Sequence, residues 1–414
     1  MIAEILATGD EVRSGALVDT NSATIAQLLE EEGVAVSRHL CVGDDLEQLI
    51  SVLREIAARA ELAMVTGGLG PTTDDLTAEA CARAAGVRLK LHEGALASME
   101  ALFRKLGRQV TGSNRKQAFL PEGAECLYNP VGTAPGFAMI IGGCRFFFMP
   151  GVPREMKQMM ADWVLPKIRE LEGGRRGYCL VKTLSSFGLP ESVTGERLAD
   201  LEKAFPGLKL GLRAKFPEIQ VKLYAQGRDR PALDELLAAG AGWVRERIGE
   251  YVFSEREEDM AVVVGQLLLK RGATLAVAES CTGGQIASWL TDVPGSSDYF
   301  LFSGVTYSND SKIAVLGVEP RTLAEHGAVS EATAAEMAAG ARRIAGADFG
   351  LATSGIAGPS GGTAEKPVGT VCIGLATEKS ARASRFQFPY GGRRMKKMIF
   401  AMKALDLLRR ELAS

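Results

Sequence analysis

Histidine is nearly missing from this chain, with three among 414 residues. They stand far apart, at His39, His92 and His326, so neither a histidine-built metal cage nor a serine–histidine–aspartate triad is expected. The seven cysteines are odd in number, scattered, and without a C-x-x-C pair. That argues against a zinc site or a disulfide framework and for reduced thiols in a cytoplasmic protein. Long apolar runs are lacking too: a stretch such as Ala261–Leu269 falls well short of a membrane span. The opening MIAEILATGDE carries acids and no basic region, unlike a signal peptide. Nor is there an excess of one charge. With 48 Lys and Arg against 50 Asp and Glu, the formal charge is −2 and no global field draws nucleic acid or an anionic membrane. Any phosphate-bearing ligand must therefore be held locally. The remainder, 46% hydrophobic and 24% charged, is an ordinary globular composition, long enough for two or three domains.

What is present is an alternation of strand and helix patterns, read as an α/β chain. In the first segment, residues 1–170, Ile2–Ala7 reads as a strand and Ser22–Glu30 as a helix ended by Gly33. Val34 opens a second strand. Leu46–Ile56 has apolar residues at helical spacing, and Leu62–Thr66 is a buried type of strand. Such alternation predicts a doubly wound parallel sheet with ligands at the carboxyl ends of its strands. Leu171–Gly177 reads as a linker into a small α+β module over 171–253, with half-exposed strands at Val181–Leu184 and Gln220–Ala225 and a helix over Ala232–Ile248. A charged stretch at Ser254–Asp259 leads into a second doubly wound α/β segment, 254–414, closed by an amphipathic helix over Met395–Leu412.

Three strand ends of the first segment run into acidic or glycine-rich turns: Thr8–Glu11, Val42–Asp45 and Thr66–Asp75. In the last, TGGLGPTTDD, the glycines Gly67, Gly68 and Gly70 bring backbone N–H groups near an anion, and Thr72 adds a hydroxyl. Carboxylates would repel a phosphate there unless a divalent cation stands between them. Asp44 and Asp75 are the candidate metal ligands for such an ion beside a nucleotide-like ligand. Helix capping by Asp45 and Asp75 is the competing explanation for single residues.

In the last segment, AVAESCTGG puts Ser280, Cys281 and Thr282 in a turn from a strand (Thr274–Ala278) to a helix (Gln285–Leu290). The N–H groups around Gly283 and Gly284 open the helix and could bind a phosphate or an oxyanion. Thr282 is the better placed cap. Alternation of side chains along a strand predicts that Ser280 and Cys281 face different ways. A serine nucleophile needs a base. His326 is the segment's one histidine, in a loop pattern. The alternative is Lys312 in TYSNDSK, whose pKa burial would lower, with Tyr307 helping to relay the proton. The cations Arg393, Arg394, Lys396 and Lys397 crowd the start of the last helix, where the dipole disfavours them unless they face an anion.

These strings carry a resemblance. TGGLGPTTDD, GDE (9–11), VDTNS (18–22), NRKQAFLPEGA (114–124), NPVGTAPGF (129–137) and MPGVPREM (149–156) are similar to the competence/damage-inducible protein A family, whose first domain is related to molybdopterin-binding domains. The resemblance implies a metal-dependent ADP-ribose pyrophosphatase there, using Mg, Mn or Co, with Asp44 and Asp75 near the phosphate or metal. The middle module resembles a KH fold. Its turn Phe187–Ser192 has one glycine, a proline and an acid in place of a basic G-x-x-G loop, so a spacer or dimerisation role in a homodimer is expected, and no nucleic acid. AESCTGG, GSSDYF (295–300), TYSNDSK, HGAVSE (326–331), SGIAGPSGG and EKPVGT (365–370) resemble the family's C-terminal nicotinamide mononucleotide amidohydrolase domain. By that match Ser280 is the nucleophile, Lys312 and Tyr307 its activators, and Ser297, Ser354, Gly355 and Arg393 line the site, with no cofactor. Two alternatives remain: one active domain of the two, or a nucleotide-binding interaction protein of the competence or damage response without turnover.

Overall fold

The computed structural model describes residues 1–171 and 177–413, so most of the Leu171–Gly177 linker lies outside the described residues. Two compact units divide the chain, Met1–Val181 with Ala225–Glu235, and Lys182–Tyr224 with Leu236–Ser414.

The first unit is built on strands β1 (Ile2–Thr8), β2 (Ala35–Val42), β3 (Leu62–Thr66), β4 (Glu125–Leu127), β5 (Gly136–Ile141) and β6 (Cys144–Met149), in the order β2-β1-β3-β6-β5-β4. Pairing is parallel from β2 through β6 and antiparallel from β6 through β4, so the sheet is mixed where a parallel one is expected. The antiparallel turn at Gly142 and Gly143, both with positive φ, makes a hairpin that a crossover helix would otherwise replace. Helices α1 (Thr20–Glu31), α2 (Leu46–Ala57), α3 (Thr77–Ala85) and α4 (Pro153–Met159) cover both faces. Strand parity decides the partners. Phe146 and Phe148 join Leu49, Leu53 and Ile56 of α2, whereas Phe147 between them joins Ile25, Leu29, Met156 and Met159 on the other face. Burying each of these large side chains contributes about 1.5–3 kcal/mol.

The middle segment carries β7 (Tyr178–Ser186), α5 (Glu191–Leu198), β8 (Leu208–Lys215), β9 (Glu218–Gly227), α6 (Arg230–Ile248) and β10 (Val252–Ser254), a small α+β module with strand order β8-β9-β7-β10.

The C-terminal segment repeats the two-sided plan with α7 (Met260–Arg271), β11 (Leu275–Glu279), α8 (Gln285–Thr291), β12 (Phe300–Val305), α9 (Asn309–Leu316), α10 (Glu331–Ala345), β13 (Phe349–Gly355), β14 (Thr370–Ala376), β15 (Ala381–Gln387) and α11 (Arg393–Ala413). Strand order is β12-β11-β13-β14-β15, parallel across β12, β11 and β13 and antiparallel beyond. Along β11, Leu275 and Val277 face α7 and α11, while Ala276 and Ala278 face α10. The chain is thus α/β, two doubly wound units with a small α+β module between them in sequence. No helix among the described residues is long and apolar enough to cross a membrane.

Candidate functional sites

The carboxyl ends of β1, β3 and β6 open on a cavity of about 570 Å³. Its lining holds six acids (Glu11, Asp19, Asp44, Asp74, Asp75 and Glu155) and no Lys, Arg or His. Gly67, Gly68, Gly70 and Thr72 all line it, as their motif predicts. Their donors, however, are partly committed. Gly67 N–H donates to the Met149 carbonyl at 3.1 Å. Thr72 donates through both N–H (2.8 Å) and Oγ1 (2.5 Å) to Asp75 Oδ2. Lys116 Nζ clasps the same turn by donating to the Thr72 and Asp75 carbonyls at 2.6 and 2.9 Å.

Asp75 therefore folds back on its own loop through Oδ2, while it shares the cavity lining with Asp44. It does not cap a helix, because α3 begins after Leu76 with no side-chain cap. Asp45 does cap α2, accepting from Gln48 N–H at 2.9 Å. Asp44 accepts from Asp10 N–H at 3.1 Å. Burial, opposed by that hydrogen bond, pushes its carboxyl above the usual carboxylate range, and the charges of Asp10, Glu11 and Asp74 push the same way. Of these neighbours, Glu11 and Asp74 also line the cavity. Among the described residues no three His, Cys, Asp or Glu side chains stand close enough to hold a metal unaided. The donors fit an ion such as Mg²⁺, which takes one or two carboxylates and completes its shell with water and ligand phosphate.

Glu155 also lines the cavity, held by Asn129 Nδ2 at 2.7 Å. Both residues lie in motifs that mark the family resemblance, but nothing in their spacing separates them from structural polar residues.

A second cavity, of about 330 Å³, opens at the carboxyl ends of β11 and β13. Its lining includes Ser280, Cys281, Tyr307, Lys312, Ser354, Gly355 and Arg393. Ser280 closes β11 and is anchored by its N–H to the Thr353 carbonyl at 3.0 Å. Lys312 lies in the first turn of α9, 1% exposed. Its Nζ donates to Ser280 Oγ at 3.2 Å, to the Thr306 carbonyl at 2.8 Å and to the Tyr307 carbonyl at 3.3 Å. None of these acceptors is a carboxylate, and burial lowers the lysine's pKa from its ordinary value. His326, the other candidate base, is 54% exposed beside Glu325 and does not line the cavity.

Several expected neighbours lie elsewhere. Cys281 borders the cavity together with Ser280, because the chain has left the strand and turns, so strand alternation no longer applies. Burial pushes its thiol up to about 12, which leaves it protonated and unreactive at neutral pH. Thr282 does not cap α8: its hydroxyl pairs with Thr353 Oγ1 at 2.7 Å in the core. The buried Glu279 carboxylate does the capping, accepting from Ile286 and Ala287 N–H at 3.2 and 2.9 Å. That helix start is consequently filled by an internal anion, and Gly283 and Gly284 line no part of the cavity. Gly283 N–H donates to the Ser280 carbonyl at 3.2 Å and so tightens the turn. Ser297 sits in a short turn before β12, at the amino end of the sheet and exposed, and it does not join the cavity. Ser354 does; it is buried and donates to the Ala328 carbonyl at 2.5 Å. Arg393 opens α11 over the cavity, and Tyr307 meets it there through its phenol, not Lys312.

Sequence models place these sites in named families. Residues 4–170 match a probable molybdopterin binding domain, 181–254 the damage-inducible protein CinA KH domain, and 257–412 the CinA C-terminal domain. A CinA-like protein of Desulfosudis oleivorans is 55% identical over 412 residues, covering 100% of both chains. The chain belongs to the CinA-like protein family. A second CinA-like protein, from Desulforapulum autotrophicum, is 49% identical and covers 99% of this chain and 98% of its own. Among solved structures, competence damage-inducible protein A of Klebsiella pneumoniae is 37% identical over 37% of this chain and 95% of its own, with a TM-score of 0.36.

Proposed function

We propose that the C-terminal site is a nicotinamide-nucleotide amidase, releasing ammonia from nicotinamide mononucleotide. The observation that carries this is the buried Lys312 side chain, its Nζ 3.2 Å from Ser280 Oγ and without a carboxylate partner. Burial without an anionic partner lowers the lysine's pKa, so its neutral form, the one that can act as a base, is more accessible than in an exposed lysine. Neutral Lys312 takes the proton of Ser280 as Oγ bonds to the carboxamide carbon. The resulting lysine ammonium gives that proton to the leaving nitrogen as the C–N bond breaks, and ammonia departs. Water then attacks the acyl-serine, losing a proton to Lys312. The ester bond breaks with return of the proton to Ser280, leaving nicotinic acid mononucleotide. Arg393 is assigned to the substrate's phosphate, the anion that its place at a helix start calls for.

The N-terminal cavity is assigned to the pyrophosphate of ADP-ribose. Six carboxylates and no basic side chain cannot bind a diphosphate by themselves. Asp44, among the acids of this lining, would hold a divalent ion, which would neutralise the phosphates and polarise the bond to be cleaved. Asp75 and Thr72 keep the loop in shape. Ammonia release from nicotinamide mononucleotide and AMP release from ADP-ribose, each with and without chelator, test the two assignments separately. No ammonia from the native protein would sink the first; chelator-resistant AMP release would sink the metal in the second.

A further inference from the structure

Tyr307 follows β12 and is 62% exposed, so packing does little to fix its ring. Lys312 touches only its carbonyl, and every other acceptor of that lysine is Ser280 Oγ or the Thr306 carbonyl. The phenol instead accepts from Arg393 Nη2 at 2.9 Å, while Arg393 Nη1 donates to the Gly358 carbonyl at 2.7 Å. The guanidinium is thereby held between two loops that border the same cavity. Neither acceptor is charged, and the first turn of α11 holds no acid, so the cation is oriented without being neutralised. A guanidinium has five N–H donors in a rigid fork, and three remain for an anion. Orientation of that fork matters because two-point contact with phosphate depends on its plane.

We propose that Tyr307 is the positioning residue of Arg393, tuning the site for a phosphorylated substrate, and that it stands outside the proton path between Lys312 and Ser280. The inference rests on the amidase assignment for this site. Removal of one hydroxyl tests it. For Tyr307→Phe the KM for nicotinamide mononucleotide should rise roughly three- to tenfold, less than the loss of a full hydrogen bond to a charged group, because the phenol orients Arg393 and does not itself meet the substrate. The kcat and its pH profile should match the native enzyme. In an Arg393→Lys background the same change should add nothing, because the fork it orients is already lost. A fall in kcat with a displaced pH limb, additive with Arg393→Lys, would restore Tyr307 to the proton path and overturn the proposal. Calorimetry separates this from failure of the amidase assignment. With no turnover needed, Tyr307→Phe should weaken binding of nicotinic acid mononucleotide and leave that of nicotinic acid riboside unchanged. Equal binding of the mononucleotide by variant and native protein would also overturn it, whereas no binding by either would overturn the substrate assignment on which it rests. Unaltered thermal unfolding of the variant, expected for so exposed a ring, shows that the fold is intact.

Discussion

At Ser280 and Cys281 two nucleophilic atoms border one cavity, and their surroundings assign them different chemistry. The serine hydroxyl has a base at 3.2 Å; the thiol is buried and held protonated. Ser280→Ala should therefore abolish deamidation by several orders of magnitude while leaving the fold intact. Cys281→Ala should keep most of the activity. A dead cysteine variant beside an active serine variant would reverse the assignment. Lys312 adds a pH signature. Its depressed pKa means that the neutral, basic form grows as pH rises through that lowered value, so kcat/KM should climb on the acidic side with it. Stability follows the same proton. Between the lowered folded pKa and the ordinary value of 10.5, the unfolded chain binds more protons than the native one. Native stability therefore rises with pH across that window, and below it the full cost of the buried lysine is present. Lys312→Met removes this dependence. The stability of the native protein relative to Lys312→Met, from denaturant unfolding at several pH values, should increase with pH within the window. A pH-independent difference would mean that Lys312 titrates normally.

At the scale of elements, the sheet beneath the Ser280 cavity depends on how closely α10 lies on it. A Cβ on Gly374 of β14 would run into the Ala334 carbonyl, and one on Gly350 of β13 into the Ala338 carbonyl. Both obstacles are helix backbone, which cannot swing aside as a side chain would. Gly374→Ala should thus cost about 1–3 kcal/mol, as overpacking of a tight core does, and lower deamidation by shifting β13, whose end carries Ser354 and Gly355. Urea unfolding and ammonia release check the two effects; an unchanged midpoint would show that α10 can lift freely. The same packing explains what the sequence makes legible. Leu62–Thr66 is read with its observed bounds because all five residues are buried, a run that needs no context. Strand β15 is an edge of its sheet with mostly exposed residues, and its polar composition carries no such signal. Among the cavity residues, the approach of Lys312 to Ser280 is legible because the two strand-to-helix turns that carry them end neighbouring parallel strands. The folding back of Asp75 onto Thr72, the capping of α8 by Glu279 and the distance of Ser297 from the cavity are not. Each depends on where a loop turns in space, which residue type and spacing do not encode.

At the scale of the whole molecule, the two cavities divide the chemistry by charge. One is lined by six acids without a cation; the other has Lys312 and Arg393 among its lining residues and no acid at all. An anionic nucleotide can enter the second directly, whereas in the first each phosphate meets carboxylates. Two unit charges at 4 Å still repel by about 4 kcal/mol at an effective dielectric constant near 20, so several such encounters exclude a diphosphate unless cations intervene. Chelation should therefore abolish cleavage of ADP-ribose and leave deamidation of nicotinamide mononucleotide at its native rate. Within the first cavity Asp44→Asn should reproduce the effect of chelator. It removes the carboxylate that burial and its acidic neighbours already raise, the one with most to gain from a cation. Asp75→Asn should act differently: its oxygen can still accept from Thr72, so the loop persists and the apparent affinity for the metal should change little. Titrating activity with Mg²⁺ separates the two variants. A right-shifted curve for Asp75→Asn with a native curve for Asp44→Asn would move the metal to the other carboxylate. Equal sensitivity of both reactions to chelator would end the division of labour between the cavities.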